Sequence, residues 1–169
     1  MRLIVSKIMR NQQLVSKLLI LFVLTEVFVS CGHRALYNEF RKLPPEGWPI
    51  NNSCNYVVEF ADTTQLYDVF IDIRHAGNYP YQNLWLFVER LSPDSTVAID
   101  TIVCEMADYT GRWLGKGSGS VYLLTVPYRQ SEVVETGKYT YKIRQGMWDE
   151  VLKGIYAIGL RLEFQHGEE

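Results

Sequence analysis

The chain has 169 residues, 47% hydrophobic and 13% aromatic, with 17 Lys+Arg against 19 Asp+Glu for a net charge of −2. That length suits one domain with a proper core, and the charge balance lacks the basic footprint that nucleic acid requires. Four of the basic residues and one of the acids precede Cys31, so the remainder carries 13 and 18, a net of −5 that also disfavours direct adhesion to anionic lipid headgroups.

The first predicted element is an export signal over residues 1–30. Arg2, Lys7, Arg10 and Lys17 precede the apolar run Leu18-Leu19-Ile20-Leu21-Phe22-Val23-Leu24, and Ser30-Cys31-Gly32 follow it. Basic segment, short apolar core, small residue and cysteine is the order of a signal peptide. Thr25 and Glu26 interrupt the run, which is well short of the roughly 20 residues a spanning helix needs. Phe28, three residues before the cut, suits ordinary cleavage badly; a lipobox accepts an apolar residue there and requires Cys at the next position after the cut, because its thiol takes the diacylglyceryl group. Cys31 is therefore the expected lipidation site, and the protein is expected to be held at a membrane by its acyl chains. Met9 would serve equally well as a start.

Residues 31–50 read as a lipidated tether, since Pro44-Pro45 and Gly47-Trp48-Pro49 disfavour regular structure. Residues 51–169 read as one domain. Its β-branched and aromatic segments at 55–60, 66–74, 83–90, 97–104, 119–127, 138–144 and 155–164 are separated by turn residues. In the second, Tyr67, Val69, Ile71 and Ile73 share a face opposite Asp68 and Asp72; in the third, Leu84, Leu86 and Val88 oppose Trp85 and Phe87. In the last, Tyr156, Ile158, Leu160, Leu162 and Phe164 are expected inward. This spacing predicts an all-β, antiparallel, jelly-roll-like β-sandwich. One short helix is predicted near 146–153, where Asp149-Glu150 and Lys153-Gly154 provide start and stop signals.

Chemistry-bearing residues are sparse. His75, at the end of the second segment, lacks the context of a catalytic base; the alternative is a histidine bonded to backbone. Asp68 and Asp72 are four residues apart on one strand face, about 13 Å, too far to share a bond, and read as solvated. Gly111-Arg112-Trp113-Leu114-Gly115-Lys116-Gly117 fails as a phosphate loop, with Gly117 where Ser or Thr should bind magnesium. Cys54 and Cys104 form either a disulfide or two separate buried thiols. Two cysteines without clustered histidines make no metal site, and no cofactor is expected. Tyr79, Tyr81, Trp113 and Lys116 form the candidate interaction surface, the alternative for the rings being plugs at the end of the core. Trp85 is expected to be such a plug.

Several stretches together resemble the GldH gliding-motility lipoproteins of the Bacteroidetes. They are Tyr67 to Arg74, Asn78-Tyr79-Pro80-Tyr81-Gln82-Asn83-Leu84, Asp100-Thr101-Ile102, Gly111 to Gly117, Gln145-Gly146-Met147, Val151-Leu152-Lys153-Gly154-Ile155 and Gly159-Leu160-Arg161-Leu162-Glu163. His75 stands where that family is expected to favour Asn. The resemblance implies a non-enzymatic accessory lipoprotein of gliding and type IX secretion, whose partners are other envelope lipoproteins of that apparatus; Gly32-His33-Arg34-Ala35 lacks the acidic run that marks surface export in these bacteria, so the periplasmic face of the outer membrane is expected. A carbohydrate-binding lipoprotein using Tyr79, Tyr81 and Trp113 is the alternative. The resemblance further implies O-glycosylation at Asp-Ser/Thr sequences, with Thr63, Ser95 and Thr101 as acceptors.

Overall fold

The computed structural model describes residues 35–61 and 64–165. The signal segment, Cys31, Thr63 and the tail from His166 lie outside the described residues. The described strands are β1 (Ala35–Lys42), β2 (Trp48–Pro49), β3 (Cys54–Phe60), β4 (Tyr67–Ala76), β5 (Asn83–Leu91), β6 (Val97–Glu105), β7 (Lys116–Ser118), β8 (Val121–Glu132), β9 (Gly137–Gln145), β10 (Val151–Leu152) and β11 (Ile155–Phe164).

One sheet runs β1-β11-β4-β8-β7, the other β3-β9-β5-β6, and β2 pairs with β10 between them in chain order. The eight long strands form an antiparallel ribbon doubled back at the β5–β6 hairpin: β5 pairs with β6, β4 with β8, β3 with β9 and β1 with β11. The ribbon then curls so that β11 meets β4 and β9 meets β5, which is jelly-roll topology and confirms the predicted fold class. The hairpin tip is built from local chemistry. Asp94 accepts hydrogen bonds from the Thr96 N–H at 2.9 Å and its hydroxyl at 2.6 Å, while Ser95 takes a left-handed φ of 68°.

Alternation then sorts side chains. Tyr56, Val58 and Phe60, Tyr67 to Ile73 at odd positions, Leu84, Leu86 and Val88, and Ile158, Leu160 and Leu162 are all buried between the sheets. The Tyr56 hydroxyl donates to the Ile158 carbonyl at 2.7 Å, tying one sheet to the other. On the opposite side, Asp100 accepts from Tyr128 at 2.5 Å and Arg129 at 2.7 Å, and Glu132 from Arg129 at 2.9 Å and Arg90 at 3.1 Å. The bonds from Tyr128 and Arg129 hold the Asp100 carboxyl below its ordinary range, and burial with the bond to Asp100 pushes Tyr128 up to about 12.

Four expectations are corrected, and of the two open readings of the cysteines the separate thiols are found. No helix forms over 146–153: the Gln145 side chain accepts from the Met147 N–H and donates to the Asp149 carbonyl, both at 2.8 Å, and so occupies the carbonyl that a helical turn would offer to Lys153. Leu152 instead pairs with Trp48, and both are fully buried. The segment read as tether is therefore part of the sandwich from Ala35 onward; Gly47, at φ 128°, lets the chain pass 2.8 Å (as its missing Cβ) from the Leu152 carbonyl oxygen. Cys54 and Cys104 are free buried thiols on the two outer strands of one sheet; three strand spacings, about 14 Å, exceed the roughly 7 Å reach of a disulfide between Cα atoms. Burial pushes their thiols up to about 11 and about 12 respectively. Tyr156 is exposed because a register shift between Ile155 and Ala157 inserts it as an extra residue. Asp72 is buried rather than solvated, held by Arg161 at 3.0 Å and by the Thr125 hydroxyl at 2.6 Å.

Candidate functional site

Three connections meet at one end of the sandwich: 77–82 after β4, 106–115 after β6, and 146–154 after β9. They are stitched together by backbone. Met106 and Ala107 donate to the Gln82 carbonyl at 2.8 and 3.1 Å, Leu114 donates to Met106 at 2.9 Å, and Gly146 donates to Trp85 at 2.7 Å. Asp108 shapes the middle loop by accepting from the Thr110 hydroxyl at 2.6 Å, the Thr110 N–H at 2.9 Å and the Arg112 N–H at 3.0 Å. These bonds, led by the Thr110 hydroxyl, lower its carboxyl to about 2.

Beneath the loops lies an aromatic layer around His75. The imidazole stacks on Tyr122 with ring centres 5.5 Å apart and meets Trp113 edge-on at 4.9 Å and Tyr79 at 6.2 Å. His75 Nδ1–H donates to the Ala76 carbonyl at 3.0 Å, and Nε2 has no partner among the described residues. Burial lowers the His75 pKa from its ordinary value, so the ring is neutral in the folded protein. His75 thus serves packing and backbone bonding.

Of the predicted surface residues, Tyr79 is only 4% exposed and donates to the Asn83 carbonyl at 3.0 Å, and half-buried Trp113 donates to the Gly77 carbonyl at 3.1 Å. Both are drawn into the aromatic layer. Tyr81 stays at the surface, its hydroxyl 3.0 Å from both carboxylate oxygens of Asp149. Lys116 is exposed on β7. Trp85, expected as a plug, is 41% exposed; β5 turns its even positions inward and leaves the ring outside. Trp148 and Tyr109 are almost wholly exposed, and the sequence pattern did not single out Trp148 for this surface. Trp148 directly follows Met147, whose sulfur accepts from the Trp85 N–H at 3.4 Å. Its signal was a large ring beside Gly146 and Asp149-Glu150, hidden by the helical reading of that segment. An open groove of about 720 Å³ is lined by Pro45, Glu46, Asn78, Pro80, Lys153 and Tyr156.

The molecule is thus a jelly-roll domain whose loop end is stitched internally and presents aromatic rings outward. The profile of the GldH lipoprotein family matches residues 35–162, and the chain belongs to that family. It is 32% identical over 152 residues to the gliding motility lipoprotein GldH homolog of Christiangramia forsetii, covering 85% of this chain and 93% of that one. It is 26% identical over 151 residues to the gliding motility lipoprotein GldH of Flavobacterium johnsoniae, covering 85% and 94%. Among solved structures, a chain described as the structure of infectious bursal disease virus Gx strain overlaps 80% of this chain and 32% of its own length at 13% identity, with a TM-score of 0.30.

Proposed function

We propose that this chain is a non-enzymatic envelope lipoprotein, anchored through Cys31 at the periplasmic face of the outer membrane, that supports gliding motility and type IX secretion by binding another envelope lipoprotein. The observation that carries the binding role is the wholly exposed Trp148 beside the exposed Trp85 and Tyr81. Large rings left in water on an ordered loop are the residues that most often anchor protein contacts. Family membership and the names of the two relatives support the setting.

Affinity purification from crosslinked envelope fractions tests it. The intact chain should capture lipoproteins of the secretion apparatus, and Trp148→Ala should lose them while folding normally. Unchanged capture by Trp148→Ala removes this surface from the reading. Protease treatment of whole cells tests the leaflet, since a periplasmic domain survives until the cells are permeabilised. The carbohydrate-binding alternative is weakened because Tyr79 and Trp113 are engaged in packing and backbone bonds.

Glycosylation at Ser95 belongs to the same proposal. Ser95 is exposed at the tip of the β5–β6 hairpin, whereas Thr101 lies within a paired strand and is the poorer acceptor. A mature mass equal to polypeptide plus lipid would exclude it.

A further inference from the structure

Four long strands border the two sheets, and three of them are closed off. β1 carries Glu39, Arg41 and Lys42 and breaks register between Ala35 and Tyr37. β3 is covered where the Arg41 guanidinium donates to the Asn55 carbonyl at 3.0 Å. β8 is paired with β7 at its start, and beyond that it has Pro127, which lacks an N–H, and register shifts opposite Tyr67 and Val69. Charges, proline, bulges and covers are the usual protections of a sheet edge. β6 has no proline, no bulge and, among the described residues, no cover, and its two charges are Asp100, which is bonded inward to Tyr128 and Arg129, and Glu105 at its end. Its nine residues contain no Lys, Arg or Pro, and they pair with β5 residue for residue without a shift.

The direction of its free backbone groups follows from the register. Gly146 donates to the Trp85 carbonyl on the β9 side of β5, so odd residues of β5 bond towards β9 and even ones towards β6. Leu86 opposite Ile102 and Val88 opposite Asp100 then use up the even residues of β6. Val97, Ile99, Thr101 and Val103 therefore direct their N–H and C=O groups away from the sheet. Their side chains are the exposed ones, and none is charged.

We infer that β6 pairs antiparallel with β6 of a second copy of this chain, about a two-fold axis through Thr101. This register alone overlaps the full nine-residue strand on both sides. Thr101 meets Thr101, Ile99 meets Val103, and Val97 meets Glu105, so every outward-directed residue faces another and no charge faces a charge. β-Branched pairs of this kind stabilise cross-strand contacts. Asp100 points inward and stays on its own Tyr128 and Arg129. The outer row is uncharged from Val97 to Val103 and carries only Glu105 at its end, which in this register faces Val97; it selects a partner strand of the same character, and β6 itself is such a strand. One ladder is less than the roughly 1,200 Å² of a stable free dimer; copies sharing a membrane surface meet at a raised effective concentration, which offsets the deficit. The pairing rests on β6, while its strength in the envelope rests on the proposed anchoring through Cys31.

The test is disulfide trapping of the full chain in isolated envelopes, oxidised with copper phenanthroline and read on non-reducing gels. Thr101→Cys should give a dimer of twice the chain mass, because Cα atoms of a hydrogen-bonded antiparallel pair lie about 5.5 Å apart, within disulfide reach. Ile99→Cys and Val103→Cys should each remain monomeric, their own copies being about 13 Å apart. Co-expressed, those two should crosslink to each other, which decides the matter even if Thr101→Cys folds poorly. Val57→Cys, on the outer face of β3, should stay monomeric. The inference is overturned if neither Thr101→Cys nor the mixed pair dimerises more than Val57→Cys, if the adduct contains a different protein, or if Thr101 carries a glycan. None of these outcomes bears on Trp148-dependent capture, which is scored separately.

Discussion

Asp72→Ala tests how the outer face of the five-stranded sheet is held. Phe40, Gly159, Asp72 and Thr125 form one row across β1, β11, β4 and β8. Gly159 leaves its place to the Phe40 ring, which a Cβ there would approach to 2.8 Å. Arg74 lies over that ring at 4.0 Å, and Arg161 over Phe70 at 4.5 Å. These neighbours leave Asp72 only 4% exposed. Removing its carboxylate deletes the bonds from Thr125 and Arg161, each worth about 1.5–3 kcal/mol as hydrogen bonds to a charged group. Breaking a fully buried ion pair costs about 3–5 kcal/mol. The Arg161 side chain is 19% exposed and keeps Glu163 as a second carboxylate, so the lower end applies, about 3 kcal/mol. For a domain of this size that is a fall in Tm of roughly 10–15 °C. Thr125→Val, which removes one bond and leaves the ion pair, should cost about 1.5 kcal/mol, the lower end for a hydrogen bond to a charged group. Thermal and denaturant unfolding followed by circular dichroism measure both. A Tm loss below about 3 °C for Asp72→Ala would show that the row is held by packing alone.

The other expectations concern the interior and the loop end. Because burial lowers the His75 pKa, the unfolded chain binds a proton that the native one does not; stability is full above about pH 6.5 and falls as pH drops towards the folded value. His75→Asn should flatten this slope below about pH 6.5, and equal slopes in denaturant titrations would refute it. Cys54 and Cys104, with thiols pushed up to about 11 and about 12, should resist thiol reagents at pH 8 until denaturant is added. Labelling of the native protein would contradict the burial seen for both. Trp148→Ala should change stability by no more than about 0.5 kcal/mol, so lost capture cannot be blamed on misfolding; a larger loss in unfolding measurements would mean the ring packs in solution.

Strands whose neighbours on both sides are apolar were readable from alternation: β4 and β5 have their expected inner faces, and β11 has its own from Ile158 to Leu162, beyond the bulge that turns Tyr156 out. β1 was not readable, because an edge strand is half in water and Asn38, Glu39, Arg41 and Lys42 give it a polar appearance. Trp48 was assigned to a tether because its partner, Leu152, lies far along the chain. The helix near 146–153 failed for a related reason: start and stop residues were present, but a buried Gln145 side chain takes the bonds. At the loop end, the aromatic residues were visible but their orientation was not. Whether a ring covers the core or faces water depends on strand parity at Trp85 and on the packed His75 layer at Tyr79 and Trp113. Neither follows from local spacing.

The ribbon closes in an order that matters for an exported protein. Among the described residues β1 has one ladder partner, β11, the last described strand, which itself rests on β4. The β5–β6 hairpin can form from adjacent residues, whereas the strand nearest Cys31 must wait for residues 155–164. Pairings this distant in sequence form slowly. Without residues 155–164, β1 lacks its ladder partner and the adjoining edge of β4 is bare, so the domain closes only when its last described strand is in place.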